Sequence, residues 1–178
     1  MVGYKFAITG HTKGLGKALA NKIATPVLGF SRSSGHDIST EDGRLDIVAQ
    51  SADCNVFINC AYCGNPSQVD MLYSIYDSWK DKNSLIINIG SETTSGIKKH
   101  IWPYAAHKAS LDKASEQLSF LNNKCKVVNF KFGYINSDRV IRDINPNEYI
   151  DINDASNYIL ANIEFAFKYR LTEILLRP

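Results

Sequence analysis

Short runs of apolar residues alternate along the chain with longer stretches in which apolar residues recur every three or four positions. The runs "NVFINC", "SLIINIG" and "KVVNFKF" are rich in Val, Ile and Phe, which is typical of strands inside a parallel sheet. We therefore expect strands near residues 4–9, 26–31, 35–38, 54–60, 84–90, 126–132 and 172–177.

The longer stretches carry the helical period and predict helices over residues 14–24, 67–80, 103–123 and 154–168. The first has one apolar face formed by Leu15, Leu19 and Ile23. The third has an apolar stripe formed by Leu111, Ala114, Leu118 and Leu121. Pro103 suits the first turn of that helix, and Asn153 or Asp154 is expected to cap the last one. Strands alternating with helices predict an α/β fold, a doubly wound parallel sheet of about seven strands with helices on both faces.

Length and composition narrow the class of protein. A chain of 178 residues is expected to form one domain, residues 1–178, and its 44% hydrophobic and 21% charged residues are ordinary for a globular protein. A net charge of +2 without a basic run argues against a nucleic-acid partner. No apolar run approaches the roughly 18 residues that span a bilayer, and the N-terminus does not resemble a signal peptide. We therefore expect a cytoplasmic protein without a membrane partner.

Cys60 and Cys63 form a single C-x-x-C pair, "CAYC". A zinc or redox site is one interpretation. However, the chain has no second C-x-x-C, and none of its four histidines is near this pair in sequence. We favour reduced thiols and expect no metal.

The stretch "ITGHTKGLG", residues 8–16, joins the first predicted strand to the first predicted helix and contains Gly10, Gly14 and Gly16. One interpretation is simply a tight turn that needs glycine. The other is a phosphate site for a dinucleotide, because backbone N–H groups and the helix dipole at a helix N-terminus attract anions.

Two further motifs bear on that choice. "INIGS" places Ser91 at the end of a strand, and "YAAHK" places Tyr104 and Lys108 one turn apart at the start of the long helix. Together with T-G-x-x-x-G-x-G, a serine followed by Y-x-x-x-K resembles the short-chain dehydrogenase/reductase family. The resemblance covers nearly the whole chain, including "VFINCA" at 56–61, "FGY" and "INS" at 132–137, and the closing "TEILLRP".

The resemblance implies that Tyr104 is the proton donor to a substrate carbonyl and that Ser91 hydrogen-bonds the same oxygen. A phenol has an ordinary pKa near 10, and a cation within about 4–6 Å lowers it, a role that Lys108 can fill. In the family the lysine also binds the nicotinamide ribose. Taken singly, Tyr104 could be a core residue, Ser91 a cap and Lys108 a solvated helix charge. Their occurrence together favours catalysis.

The end of the second predicted strand favours NADP(H) over NAD(H). Enzymes that use NAD usually have an acidic residue there, whereas this chain has Ser31 followed by Arg32, and Lys13 in the glycine turn adds a second cation. The alternative is that Arg32 and Lys13 are surface cations. By resemblance, Asp37 and Ile38 would contact the adenine. The remaining cofactor-binding residues expected are Gly10, Thr12, Gly14, Leu15, Gly16, Asn59, Ala61, Ile135 and Ser137.

The predicted function is an NADP(H)-dependent oxidoreductase of the carbonyl reductase or alcohol dehydrogenase type, acting on a small-molecule carbonyl or alcohol. The alternative is a non-catalytic NADP(H)-binding sensor that retains the fold. The family's fourth-helix asparagine has no clear counterpart, since Asn65 precedes Pro66. The 136–154 loop is expected to form the substrate pocket, with Arg139 and Arg142 interpreted as solvated charges.

The resemblance also implies a homodimer or homotetramer. In the family, the helices that correspond to 67–80 and 103–123 make the dimer contact. Tyr73, Tyr76 and Trp79 would contribute to it unless they belong to the core.

Overall fold

The computed structural model describes residues 3–96, 101–137, 145 and 148–178. Six strands lie within these residues, and they form one sheet. They are β1 (Phe6–Thr9), β2 (Val27–Phe30), β3 (Val56–Asn59), β4 (Leu85–Ile89), β5 (Lys126–Phe132) and β6 (Glu173–Leu176). The order is β2-β1-β3-β4-β5-β6 and every pairing is parallel.

The α-helices of the described residues cover both faces of this sheet. They are α1 (Gly14–Lys22), α2 (Glu41–Gln50), α3 (Ser67–Trp79), α4 (Pro103–Phe120), α5 (Ile152–Ala161) and α6 (Ile163–Lys168). Because successive strand residues point to opposite faces, Phe6 and Ile8 pack against α1 and α5, whereas Ala7 packs in the cluster of α2, α3 and α4. The predicted doubly wound α/β fold is therefore confirmed.

The strand predicted at 35–38 is wrong. Arg32–Ser34 form a single 3-10 turn that ends at Gly35, whose φ of +86° belongs to the left-handed region. A residue in that conformation reverses the chain, so the segment cannot continue as an extended strand. This is why the sheet has six strands rather than about seven.

Helix α2 was missed in the sequence because only Ile47 among its residues is buried, so it has almost no apolar stripe. The features that favour α2 lie at its N-terminus. The Thr40 side chain accepts a hydrogen bond from Gly43 N, and the acidic residues Glu41 and Asp42 occupy the first turn. Such polar signals support a helix that the hydrophobic period does not reveal.

The predicted helix ends also need correction. Helix α4 stops at Phe120, so Leu121 is extended and 47% exposed instead of extending the apolar stripe. The helix predicted at 154–168 is two helices, α5 and α6, which meet at Asn162. Its cap is Asp151, whose side chain accepts from Asn153 N at 2.7 Å.

Two of the three aromatic residues considered for a dimer contact belong to the core. Trp79 is 1% exposed and Tyr76 is 5% exposed, whereas Tyr73 remains 43% exposed on α3.

The strand order places a crevice at the carboxyl ends of β1 and β3. The chain leaves β1 toward β2 on one side and returns to β3 on the other, so the connections diverge between β1 and β3. In open α/β sheets, ligands bind at such a switch point. Here the Thr9 hydroxyl links the two strand ends, accepting from Cys60 N at 3.0 Å and Ala61 N at 3.1 Å.

Candidate active site

A cleft of about 1070 Å³ opens along the carboxyl ends of the strands. Its lining includes the glycine turn between β1 and α1, and also Ser91, Tyr104 and Lys108.

The glycine turn is shaped by close backbone contacts. Gly10 has a φ of +76°, and a side chain on it would lie 3.1 Å from the Ala61 Cα. A side chain on Gly16 would lie 2.3 Å from the Gly10 carbonyl oxygen. Side chains are therefore excluded at both positions, and the N-terminus of α1, which begins at Gly14, faces the cleft.

Ser91 follows β4 and is buried, with the start of a 3-10 turn immediately after it. Its hydroxyl oxygen accepts from Thr93 N at 3.3 Å and from the Thr93 hydroxyl at 3.1 Å. A hydroxyl has two lone pairs and one hydrogen, so these bonds use its acceptor capacity and leave its hydrogen to donate.

Lys108 lies at the wall of the cleft and is only 4% exposed. Its ammonium donates to the Gln68 side-chain oxygen at 2.7 Å and to the Ile89 carbonyl at 2.6 Å. Burial lowers the pKa of Lys108 from 10.5 to about 8, and electrostatic interactions with Cys60 and Asp112 oppose that shift.

Aromatic side chains surround this ammonium. Lys108 Nζ lies 5.6 Å from the ring centroids of both Tyr62 and Tyr104. The Tyr62 ring meets Tyr104 edge-on at 4.9 Å, and Trp102 lies 5.7 Å from Tyr104 on another side. Tyr62 also hydrogen-bonds His107 Nδ1 at 3.0 Å, and burial raises the pKa of Tyr62. These contacts fix the Tyr104 ring beside the lysine.

The far end of the cleft is lined by small hydroxyl side chains and a cation. Ser31 hydrogen-bonds the hydroxyls of Ser33 at 2.9 Å and Ser34 at 3.1 Å, and Arg32 is exposed beside them. His36, which no sequence motif singled out, also lines the cleft and contacts Ser34 at 3.2 Å. The described residues include no salt bridge to Arg32 or Lys13.

The cleft brings together most of the residues expected at the site. Those that line it are Gly10, Thr12, Lys13, Gly14, Leu15, Ser31, Arg32, Ile38, Ala61, Ser91, Tyr104, Lys108, Ile135 and Ser137. Three others are not among the residues that line it. Gly16 packs on Gly10, Asp37 accepts a hydrogen bond from Ser39 N at 2.9 Å, and Asn59 is fully buried.

Asn65 does not reach the site. Its side-chain oxygen accepts from Ser67 N at 3.1 Å and from the Ser67 hydroxyl at the start of α3. Gln68, which was not singled out in the sequence, contacts Lys108 instead. The sequence feature that could have revealed Gln68 is a polar residue on the apolar face of α3, which also carries Met71, Leu72 and Ile75. Arg139, Arg142 and the rest of 138–144, together with 146 and 147, lie outside the described residues, so about half of the 136–154 loop is described.

The thiol pair also faces the cleft. Cys60 and Cys63 line it, and none of the four cysteines, all within the described part of the chain, forms a disulfide. In the described residues no cluster of three or more His, Cys, Asp or Glu side chains is arranged to hold a metal ion. Nor does any described helix combine the length and apolar character needed to cross a membrane.

No protein-family model and no curated protein sequence matches the chain. Solved structures do match it. An alcohol dehydrogenase from the archaeon Thermococcus sibiricus, complexed with 5-hydroxy-NADP, has a TM-score of 0.79 at 13% identity, covering 97% of this chain and 96% of its own. A short-chain dehydrogenase from Burkholderia cenocepacia, in complex with NADP, has a TM-score of 0.80 at 16% identity, with 98% and 88% covered. This chain has the fold of the short-chain dehydrogenases.

A third structure with the short-chain dehydrogenase fold is the 3-ketoacyl-(acyl-carrier-protein) reductase from Brucella melitensis, complexed with NADH. Its TM-score is 0.81 at 15% identity, with 98% of this chain and 97% of that one covered. The three matches cover 97–98% of this chain, so the similarity extends over nearly the whole fold.

The buried lysine predicts a pH dependence of stability. Because the pKa of Lys108 is lowered to about 8, the unfolded chain binds more protons than the folded chain between about pH 8 and 10. The free energy of unfolding of the wild type, relative to Lys108→Met, should therefore rise over that range by about 2 to 3 kcal/mol. Urea unfolding at several pH values measures it.

The matched control is Lys113→Met, which removes a lysine on the same helix whose side chain is 80% exposed. For that variant the difference from wild type should stay constant with pH. A constant difference for Lys108→Met as well would mean that Lys108 keeps an ordinary pKa.

Proposed function

We propose that this protein is a member of the short-chain dehydrogenase/reductase family and catalyses NADP(H)-dependent oxidoreduction of a carbonyl or alcohol substrate. One observation carries the proposal: a single cleft joins the glycine turn to Tyr104, with the Lys108 ammonium 5.6 Å from that ring. The glycine turn, which is suited to bind phosphate, and the candidate proton donor Tyr104 thus line the same cleft.

The residues present fit a nicotinamide dinucleotide. The exclusion of side chains at Gly10 and Gly16 leaves a concave backbone at the N-terminus of α1, where N–H groups and the helix dipole favour phosphate. Ala61, Ile38, Ile135 and Ser137 line the same cleft and would contact the remainder of the cofactor. The cofactor would supply the hydride, and the protein supplies position and electrostatic field.

Tyr104 transfers the proton. In the reducing direction its hydroxyl donates to the substrate carbonyl oxygen, and in the oxidising direction its phenolate accepts the proton back. Lys108 stabilises the phenolate because its positive charge favours the ionised form of a neighbouring phenol. Ser91 donates its remaining hydroxyl hydrogen to the same substrate oxygen and stabilises the charge that develops there.

The serine-rich end of the cleft supports NADP(H) as the cofactor. Ser31, Ser33 and Arg32 line it, and no acidic side chain is among the lining residues there. A carboxylate would repel a 2′-phosphate, whereas hydroxyls and a guanidinium bind it through charge-assisted hydrogen bonds. Lys13, exposed in the glycine turn, adds a second cation.

A direct assay tests the proposal. Purified protein is titrated with NADPH by fluorescence, and NADPH consumption is then followed with a panel of ketones, aldehydes and diketones. We expect saturable binding and turnover of at least one substrate class. Tight NADPH binding without turnover on any of them would favour the non-catalytic sensor, and the absence of NADPH binding would refute the proposal.

A further inference from the structure

One buried polar residue contacts the reactive part of the site without belonging to the motifs that define it. Gln68 is 3% exposed on α3, beside the completely buried Met71, Leu72 and Ile75. A primary amide buried among apolar side chains is destabilising unless its donors and acceptor are hydrogen-bonded. Its position therefore needs an explanation in terms of its partners.

All three partners of the Gln68 side chain belong to the candidate site. Its oxygen accepts from Lys108 Nζ at 2.7 Å, and its nitrogen donates to the Asn59 carbonyl at 2.7 Å and the Ile89 carbonyl at 3.3 Å. This orientation of the amide is fixed by chemistry. Rotating it by half a turn would place its NH₂ against the ammonium and its oxygen against two carbonyl oxygens.

The backbone around Gln68 is held as firmly as its side chain. The buried Asn59 side chain donates to the Gln68 carbonyl at 2.8 Å and to the Asn88 side-chain oxygen at 2.9 Å. Asn88 in turn donates to the Ser115 hydroxyl at 3.0 Å on α4. This network ties the start of α3 to β3, β4 and α4, so the Gln68 oxygen has little freedom to leave the lysine.

We propose that Gln68 is a positioning residue of the site, whose side-chain carbonyl keeps the Lys108 ammonium protonated and in place beside Tyr104. A hydrogen bond to the charged form favours that form and offsets the effect of burial. The Ile89 carbonyl, at 2.6 Å, is the other close acceptor. The consequence of the Gln68 contact for Tyr104 rests on the proposed function, whereas the effect of Gln68 on the charge of Lys108 does not.

The other titratable groups around Lys108 do not replace this contact. Cys60, after β3, and Asp112, one turn further along α4, favour the charged lysine through electrostatic interaction. Asp112 is shared, because its carboxylate also pairs with Lys131 Nζ at 3.0 Å and accepts from Asn129 at 2.8 Å. Tyr62 and Tyr104 contribute ring faces at 5.6 Å. Removing the amide oxygen therefore leaves the ammonium without one of its two close neutral acceptors.

The test replaces Gln68 with Met, which has similar length and no amide. The titration of Lys108 is followed by NMR of ¹³C-labelled lysine, with its signal assigned from Lys108→Arg, in protein without added cofactor. We expect the proton affinity of Lys108 to fall at least about tenfold, a shift of one pKa unit. In the oxidation reaction, the acidic limb of the kcat profile should move to higher pH, because the phenolate loses its cation.

Two further variants make the result decisive. Gln117→Met removes an exposed glutamine on α4 that contacts Tyr73, and it should leave both the titration and the pH profile unchanged. Gln68→Asn keeps an amide but withdraws its oxygen by one methylene. It should shift the Lys108 titration in the same direction, and it takes the place of Gln68→Met if thermal melts show that variant to be unfolded.

The outcomes separate this proposal from the proposed function. An unchanged Lys108 titration in the folded Gln68 variants would overturn the role of Gln68 while leaving wild-type turnover intact. A shifted titration in a protein that turns over no substrate would support the contact of Gln68 with Lys108 and refute the enzyme.

Discussion

Tyr104→Phe is expected to reduce turnover at least about 10³-fold while leaving the affinity for NADPH within about threefold. General acid–base catalysis by a positioned side chain contributes about 10²- to 10⁴-fold, and this residue is the proton donor of the proposed reaction. Phenylalanine keeps the edge contact with Tyr62 at 4.9 Å and the packing beside Trp102, so the shape of the cleft is preserved. Steady-state NADPH oxidation and fluorescence titration measure the two effects.

Tyr73→Phe is the matched control, since it removes the hydroxyl of an exposed tyrosine on α3 whose partner is Gln117. It should leave kcat and KM unchanged. Turnover by Tyr104→Phe within tenfold of the wild type would show that another group supplies the proton.

The parts of this site that the sequence predicted are those specified by short-range motifs. Gly10 and Gly16 belong to a turn in which a Cβ would collide with backbone atoms, and that requirement is local. Tyr104 and Lys108 share a helix face because they are four residues apart. Strand ends in a parallel sheet meet at one edge, which is why the turn after β1 and Ser91 after β4 line the same cleft.

The parts that the sequence did not predict depend on contacts between distant segments. Gln68 lies 40 positions from Lys108, and nothing within α3 shows that its amide meets an ammonium. His36 approaches the serine-rich end of the cleft because Gly35 reverses the chain after Ser34, where a strand was expected. Helix α2 lacks the apolar stripe that hydrophobic periodicity detects.

The burial of a helix lysine also depends on contacts with distant segments and not on the local sequence. A single lysine on a helix is usually exposed to solvent, and Lys113, whose side chain is 80% exposed, is an example. Lys108, five positions earlier, is almost completely buried because α4 packs it against β4 and α3. Burying an ammonium reduces stability at neutral pH, and a lysine with a strongly lowered pKa in a cleft marks a candidate functional site.

Arg32→Asp is expected to weaken NADPH binding at least about 100-fold while changing NADH affinity by less than about threefold. The substitution removes charge-assisted hydrogen bonds, worth about 1.5 to 3 kcal/mol, and adds a carboxylate that repels a 2′-phosphate. NADH lacks that phosphate, so neither change should alter its affinity. Ser31 is retained in the variant, and its hydroxyl contacts with Ser33 and Ser34 keep the local turn in place. Calorimetric titration with each cofactor measures the ratio.

The control for charge is Arg170→Asp, which makes the same substitution at an exposed arginine outside the residues that line the cleft. It should weaken NADPH binding by no more than about twofold, and that small effect should diminish at high salt because it acts through screened long-range charge. The loss in Arg32→Asp should persist at high salt, since it comes from direct contact with the phosphate. If the wild type binds NADH as tightly as NADPH, the serine-rich end of the cleft does not select the 2′-phosphate.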